Sequence, residues 1–297
     1  MKPEYTLPHC ASAIAAALFL SSTAFATVIY QENFDTYSNA ALNGQNGWQQ
    51  TSSVPSGTIT NRNHIAVNDG KVSWDWTTST ATNATIGREL FAEGSSSGPA
   101  IVYAGFTLNV SQAPGTTYEA LTNLSSTFFS FISTSGVTNR ARLGIAPGTE
   151  DNTVRLGFSA TDGNVTESSL VGGNLSLDTD YRIVVAMDRS AGNDGTWYIW
   201  INPGETDSYA TALSSGTGTS ANSITGIVLR MRNTTTIGGV ANSITDIGQF
   251  TLDDLIVATT LGEVLAPVPE PATVALLLGT FGLLIAKLAC YRKRSLA

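Results

Sequence analysis

Short runs of alternating apolar and polar residues extend through residues 27–266, separated by clusters of Gly, Asn, Asp, Ser and Thr. In segment 196–202, Trp197, Ile199 and Ile201 lie on one side of an extended chain and the residues between them on the other. A period of two residues is typical of β-strands with two different faces. The pattern predicts ten strands, at 28–34, 71–76, 100–110, 127–133, 141–146, 154–160, 181–188, 196–202, 225–232 and 249–258.

Turn-forming residues lie between these segments, as in Asn68-Asp69-Gly70 and in the predicted hairpin loop at 188–196. Residues 204–223 are rich in Ser, Gly and Thr, and we interpret them as a long loop inside the domain because a strong strand follows. About ten antiparallel strands without a predicted helix indicate an all-β fold. The expected architecture is a two-sheet antiparallel jelly-roll sandwich that occupies residues 27–266 as one domain.

The first 26 residues have the pattern of a signal peptide. An apolar run at 11–20 precedes Ala24-Phe25-Ala26, which has the small-x-small form of a signal cleavage site. We therefore expect the mature chain to begin at Thr27. An uncleaved N-terminal anchor is the alternative, and the shortness of the apolar run argues against it.

The last 31 residues have a different organisation, in three parts. A Pro-rich motif comes first, then an apolar run at 272–290, then a cluster of three cations. Nineteen helical residues span about 28 Å, close to the ~30 Å hydrocarbon core of a bilayer, so the run predicts a transmembrane helix. The basic residues place the C-terminus in the cytoplasm by the positive-inside rule. The two flanking motifs are Val268, Pro269, Glu270 and Pro271 before the helix, and Arg292, Lys293 and Arg294 after it.

This three-part tail resembles the PEP-CTERM sorting signal of Gram-negative bacteria. The resemblance covers residues 267–297 and implies an exosortase, a membrane cysteine transpeptidase, as a partner that cuts near the motif. It also implies a location: first the inner membrane, with the domain facing the periplasm, and afterwards the cell surface or the extracellular matrix. The alternative is an ordinary tail anchor with a chance Pro-Glu-Pro in its linker.

Three segments of the domain resemble the concanavalin A-like (LamG-like) jelly rolls of PEP-CTERM proteins. They are the opening 34–48, with Phe34-Asp35 and Trp48, the strand pair 181–203 that ends in Asn202-Pro203, and the last strand. That last strand carries Asp253-Asp254 followed by Leu255, where the family pattern has Ile. The resemblance implies the jelly-roll fold, which lectins, glucanases and structural modules share, and it does not choose among them.

Charge and cysteine content restrict the partners and the chemistry. Residues 27–266 contain ten Lys and Arg against 21 Asp and Glu, a net charge of −11. Such a surface repels phosphate backbones, so we expect no nucleic acid partner and favour neutral polysaccharide or divalent cations. Both cysteines, Cys10 and Cys290, lie in the end segments. The domain therefore has no disulfide, thiol nucleophile or thiolate metal site.

The acid pair Asp253-Asp254 is the candidate metal site. Adjacent residues on a regular strand point to opposite faces, so one of the two carboxylates is expected to point toward the interior of the sandwich or toward an adjacent loop. A buried carboxylate needs a partner. The LamG-like resemblance implies a structural Ca²⁺ between the first and last strands, with Glu32 and Asp35 as further ligands. The alternative is a hydrogen-bonded acid at a strand edge.

Four tryptophans are candidates for stacking on sugar rings, as aromatic platforms do in β-sandwiches. Trp74 and Trp76 share one face of a predicted strand, whereas Trp197 and Trp200 face opposite ways. At least one of the second pair is therefore expected to be exposed. Packing in the core is the alternative for each.

Catalysis lacks a recognisable residue set. A retaining glycosidase needs two carboxylates about 5–5.5 Å apart, and the Glu-x-Asp-x-x-Glu strand of jelly-roll glucanases does not occur here. His64 is the one histidine outside the signal segment. The sequence therefore predicts a non-catalytic protein that associates with exopolysaccharide, either as a carbohydrate binder or as a structural matrix component. The alternative is a divergent glycan hydrolase or lyase.

Overall fold

The computed structural model describes residues 27–48, 65–75, 84–91, 99–111, 127–133, 139–160, 169–190, 195–217, 224–231 and 249–266. Within these ranges fourteen strands form two antiparallel sheets. In chain order they are β1 (Val28–Glu32), β2 (Ile65–Asn68), β3 (Lys71–Asp75), β4 (Ala84–Glu89), β5 (Ile101–Ser111), β6 (Thr127–Ser133), β7 (Asn139–Pro147), β8 (Thr153–Ser159), β9 (Leu170–Ser176), β10 (Tyr181–Asp188), β11 (Thr196–Ile201), β12 (Ser214–Thr217), β13 (Ile224–Met231) and β14 (Gln249–Ala258).

The larger sheet has the order β12-β11-β10-β5-β14-β3-β2, and β1 also pairs with β14. The smaller sheet has the order β4-β13-β6-β7-β8-β9. The two sheets pack face to face, so the predicted two-sheet antiparallel jelly-roll sandwich is confirmed. The ten predicted strands are all present, with bounds that differ by two residues or fewer.

Four strands were not predicted: β2, β4, β9 and β12. They are short or poor in apolar residues, as in the Ser-Ser-Gly-Thr of β12, which lies inside the predicted loop 204–223. β9 contains Gly172 and Gly173, both at a φ of +74°. Pairing with a neighbouring strand needs only backbone groups, so such segments can join a sheet without a period of two in their side chains.

The inner faces of the two sheets form one continuous apolar core. Aromatic rings carry the contacts between the layers. Phe106 on β5 lies with its ring centroid 4.9 Å from that of Phe129 on β6, and Trp197 on β11 lies 5.5 Å from Phe131. All four side chains are fully buried. This is the packing that the alternating pattern predicts for inward positions.

β14 changes partner half-way along its length, and a bulge marks the change. Its first half pairs with β3 and its second half with β1, while β5 lies along its other side. The register with β5 shifts between Asp253 and Ile256, and Asp254 has a φ of +50°. Because the bulge inserts an extra residue, Leu252 and Leu255 both face the core, and the two acids between them are only partly buried. Neither acid therefore lies in the core, and Asp254 instead faces the adjacent loop at Gly204 and Glu205, which is the other direction expected for one acid of the pair.

The outer face of the larger sheet, the face turned away from the smaller sheet, is itself covered. A helix, α1 (Leu261–Leu265), and a 3-10 turn (Tyr209–Thr211) pack on it. Beneath them lie small or medium side chains, Val184 and Ala186 on β10 and Ala258 on β14, which belong to a second apolar cluster. The expectation of no helix within the domain at 27–266 is wrong at α1, which is too short to show an amphipathic period in sequence.

The two ends of the domain meet beside each other. The Thr27 backbone N–H donates to Oγ1 of Thr259 at 3.1 Å, and Val28 pairs with Ala258. Within the described ranges no helix is both long and apolar enough to cross a bilayer. The predicted span 272–290 lies outside the described residues, as do Ala24, Ala26, the 268–271 motif and the cations at 292–294. The signal peptide and the sorting tail stay predictions.

Candidate functional site

The candidate stacking tryptophans are not on the surface. Trp74 and Trp197 are fully buried in the core between the sheets, and Trp76 lies outside the described residues. Trp200 does face outward, as the alternation predicts, but its exposed fraction is only 2%. The expectation that one of Trp197 and Trp200 is exposed is wrong, because the outer face of the larger sheet is covered.

Tyrosines form that cover. The ring of Tyr209, from the 3-10 turn, stacks on Tyr198 with centroids 4.2 Å apart and lies 6.3 Å from both Trp200 and Tyr103. The Tyr103 hydroxyl donates to the Tyr209 hydroxyl at 3.1 Å. Burial raises the pKa of Tyr103 and Tyr209. We call Tyr103, Tyr198, Trp200 and Tyr209 the aromatic cluster. Its rings pack against one another, so the cluster acts as a structural cover for the sheet.

Glu32, one of the predicted calcium ligands, has a full set of hydrogen-bond donors from the protein. Its carboxylate accepts from the Tyr37 hydroxyl at 2.8 Å, from Asn46 Nδ2 at 3.0 Å, and from the Tyr30 hydroxyl and the Phe34 backbone N–H at 3.3 Å each. Burial, and then the hydrogen bond to Glu32, raise the pKa of Tyr37 to about 12. Glu32 thus ties the first strand to the loop that follows it.

Asp253 is the acid most perturbed by its surroundings. Desolvation raises the pKa of its carboxyl to about 6, and the negative charges of Asp254 and Asp35 act in the same direction. The Asp254 backbone N–H at 2.8 Å and the ammonium of Lys71 at 3.8 Å oppose the rise. Desolvation wins because Lys71 is 43% exposed, so water screens its charge.

The predicted calcium ligands are therefore divided between two places. Asp35, Asp253 and Asp254 influence one another electrostatically, whereas Glu32 is bound within its own hydrogen-bond network. In the part of the chain that the structure describes, no three His, Cys, Asp or Glu side chains gather as a metal site. A calcium ion between the first and last strands stays a prediction.

Arg182 connects two elements on the outer face of the larger sheet. Its guanidinium donates to the Asp254 carbonyl oxygen through Nη1 at 2.8 Å and to the Val264 carbonyl oxygen through Nε at 3.1 Å, with Nη2 also on Val264. Burial lowers the pKa of Arg182 to about 10, partly offset by Asp254 and Asp253, so the side chain remains a cation at neutral pH. One arginine thus ties the bulge of β14 to α1.

Gly105 makes this arrangement possible. It lies on β5 beneath α1, and a Cβ there would come within 3.0 Å of the Val264 Cβ, the Val264 carbonyl oxygen and Arg182 Nη2. A larger residue would push the helix away from the sheet. The helix therefore approaches the strand closely enough for the Val264 carbonyl to reach the half-buried Arg182 guanidinium.

A pocket of about 420 Å³ opens beside this arginine. Its polar groups come from Thr107, Arg182, Glu205 and Asp254, and Pro203, Gly204, Leu265 and Ala266 complete the lining. The Thr107 hydroxyl donates to Asp254 Oδ2 at 3.4 Å. The loop side is held in place by Asp207, which accepts the Gly204 backbone N–H at 2.7 Å.

The pocket combines side chains that donate hydrogen bonds and side chains that accept them with apolar walls. Arg182 uses three donor atoms on backbone carbonyls, and its charge is balanced by Asp254. Asp254 and Glu205 supply carboxylate acceptors, and Thr107 supplies a hydroxyl that can donate or accept. The net negative lining favours a ligand rich in hydroxyl groups, or a cationic one, over an anion.

We call this the Arg182–Asp254 pocket. Of its lining residues, sequence reasoning singled out Asp254 alone. Arg182 had a signal, because it is the one charged residue at the start of an otherwise apolar strand. Glu205 and Thr107 had none, since nothing in their local pattern distinguishes them from ordinary loop and strand residues. Their meeting depends on the bulge and on α1.

No protein-family model matches the sequence, and no curated protein resembles it at a significant level. Among solved structures, alginate lyase Aly36B is similar over 81% of this chain and 98% of its own, with 13% identity and a TM-score of 0.47. The endo-β-1,4-glucuronan lyase of the fungus Trichoderma reesei covers 80% and 98%, with 14% identity and a TM-score of 0.46.

The carbohydrate recognition domain of Emp47p is also similar, over 81% of this chain and all of its own, with 10% identity and a TM-score of 0.41. At such identities and TM-scores the likeness says nothing about substrate, activity or site residues. The fold follows from the sheets of this chain itself: an antiparallel jelly-roll sandwich whose larger sheet carries the Arg182–Asp254 pocket on its outer face.

Proposed function

We propose that this chain is an exported, non-catalytic protein of the cell envelope or exopolysaccharide, and that it binds neutral glycan in the Arg182–Asp254 pocket. The observation that carries the proposal is the pocket itself. Its volume of about 420 Å³ is ample for a sugar residue, and the half-buried Arg182 holds the backbone of Asp254 in place. Ring hydroxyls would donate to Asp254 and Glu205, and the C–H faces of the sugar would pack on Pro203 and Leu265.

In this proposal the two end segments determine the localisation of the protein. Residues 1–26 would direct export of the chain and then be removed, and the apolar run at 272–290 would hold it in the inner membrane with the domain in the periplasm. An exosortase would then cut near Val268-Pro269-Glu270-Pro271 and transfer the domain to the surface or matrix. The proposal also includes a structural calcium ion near Asp253 that stabilises the folded domain.

The decisive test is a glycan array with the purified mature protein, followed by affinity measurement on the best ligand. Asp254→Asn keeps the size of the side chain, and asparagine tolerates the left-handed backbone at this position. It removes the charged acceptor, so we expect roughly tenfold weaker binding or more. Asp151→Asn is the matched control, because it removes the same charge from an exposed turn of the smaller sheet. Equal binding by both variants would contradict the pocket.

Glycoside hydrolysis is the second candidate, for one reason. Asp254 and Glu205 place two carboxylates in the same pocket, and a carboxylate pair is what most glycosidases use. Incubation of the mature protein with a panel of polysaccharides separates the two functions. Release of reducing ends that Glu205→Gln abolishes would establish an enzyme, whereas binding without release supports the non-catalytic proposal.

A further inference from the structure

The chain leaves the domain across the outer face of the larger sheet. After β14, Thr259 and Thr260 reverse the direction of the chain, and α1 returns over β5 and β14. Val264 is fully buried in the apolar cluster of this face, and Leu261 and Leu265 pack against it. Together with the hydrogen bonds from Arg182 to the Val264 carbonyl, this packing attaches the exit of the chain to the sheet.

The exit point is also a wall of the pocket, since Ala266 and Leu265 both line it. Only five residues, 267–271, lie between Ala266 and Ala272, where the predicted transmembrane run begins. The six residue-to-residue steps from Ala266 to Ala272 span about 20 Å when fully extended. β5 alone, with eleven residues, is about 35 Å long. The tether is thus short in comparison with the domain that it holds.

We infer that, in the membrane-anchored precursor, the outer face of the larger sheet is turned toward the bilayer and the Arg182–Asp254 pocket lies close to the headgroups. The inference rests on the membrane anchor of the proposed function, but not on glycan binding. Whatever the tilt of the domain, Ala266 stays within the reach of the tether, and the pocket mouth stays with it.

This geometry makes processing a condition for binding. A polymeric glycan needs free volume in front of a pocket, and a bilayer within about 20 Å of the mouth excludes most of its conformations. Removal of the tail takes away both the tether and the bilayer. Sorting would therefore expose the pocket only when the protein has left the inner membrane, so that the protein does not bind nascent polysaccharide too early.

The orientation can be measured with single-cysteine probes on the chain with its C-terminal segment intact, reconstituted in phospholipid vesicles. Cys10 and Cys290 are first changed to serine, which leaves no other thiol. A fluorophore is then attached at Glu205→Cys, beside the pocket, or at Asp151→Cys, in the turn between β7 and β8 of the smaller sheet. Both positions are exposed acids, so the two changes are matched in charge and exposure.

Headgroup-labelled quencher lipids should quench the probe at position 205 roughly twofold more than the probe at 151, given the length of the tether. Equal quenching, or stronger quenching at 151, would overturn the orientation while leaving the anchor intact. Failure of the protein to float with vesicles would instead reject the anchor, and the orientation with it. Glycan binding is a separate measurement on the mature protein.

A spacer variant tests the cause. Twenty Gly and Ser residues inserted after Ala266 add about 25 Å of root-mean-square reach. Quenching at position 205 should then fall toward the value at 151, because the short tether no longer holds the pocket near the bilayer. If quenching at 205 stays unchanged, the tether is not what orients the domain, and the inference is wrong.

Discussion

The two faces of the larger sheet are both buried over much of their area, but different structures cover them. The inner face packs on the smaller sheet through aromatic side chains such as Phe106 and Phe129. The outer face is covered by α1 and by the 3-10 turn that carries Tyr209. The inner contact repeats along most of the strands, whereas the outer contact depends on a few residues and one half-buried cation. Burial on the outer face therefore depends on α1 and the 3-10 turn staying in place. The same face also carries a polar pocket.

The comparison predicts that the inner face tolerates truncation least. Phe129→Ala removes a fully buried ring that contacts both Phe106 and Phe131, and it leaves a cavity. The expected loss is about 3–5 kcal/mol of the free energy of unfolding. Chemical denaturation of the mature protein measures it. A loss below that of any outer-face variant would contradict the ranking of the two faces.

Among the residues of the outer face, Arg182 is expected to cause the largest loss of stability when it is substituted. Arg182→Met keeps much of the apolar stem but leaves the carbonyls of Asp254 and Val264 without these donors. Charge-assisted hydrogen bonds of this kind contribute about 1.5–3 kcal/mol each, so we expect a loss of about 2–3 kcal/mol after relaxation. Hydrogen exchange should rise in α1 far more than in β10.

Arg155→Met is the control for that experiment, because it removes an arginine from the smaller sheet without touching α1. If the two variants lose the same stability, and exchange in α1 is unchanged in both, then the guanidinium of Arg182 is not what holds the helix.

The smallest effect is expected from the acid at the bulge, and it depends on pH. The pKa of Asp253 is about 6 in the folded protein, above its ordinary value of 3.8, so the folded state binds the proton more tightly than the unfolded chain. The free energy of unfolding should therefore fall as the pH rises from about 4 to about 6. Partial exposure limits the change to about 1–2 kcal/mol.

Asp253→Asn should remove this slope and raise the melting temperature at pH 7.5, where the wild-type carboxylate is ionised at a desolvated site. Asp35→Asn should reduce the slope only in part, since Asp35 is the last of the causes that raise this pKa. Thermal unfolding between pH 4 and pH 8 tests both. Two results together would contradict the raised pKa of Asp253. They are a wild-type stability that rises between pH 4 and pH 6, and the same pH dependence in Asp253→Asn.

The sequence by itself determined the framework. A period of two residues located ten strands, and the absence of helical periodicity and of cysteine in 27–266 indicated a sandwich held by its core. It also determined which residues of β11 share a side, because alternation on a regular strand is a local property of the backbone. The signal peptide and the membrane span stay predictions, and they rest on composition and length alone.

The tertiary structure decided everything that depends on what lies above a strand or across a bulge. Trp197 and Trp200 face opposite ways as predicted, but only the packing of Tyr209 shows that Trp200 is covered. Asp253 and Asp254 break the alternation because the pairing partner of β14 changes from β3 to β1 at that point. Local sequence does not determine which strands pair. The pocket follows from that bulge, from Gly105 and from the return of α1. These are contacts between residues about 70 to 160 positions apart, which no local pattern can encode.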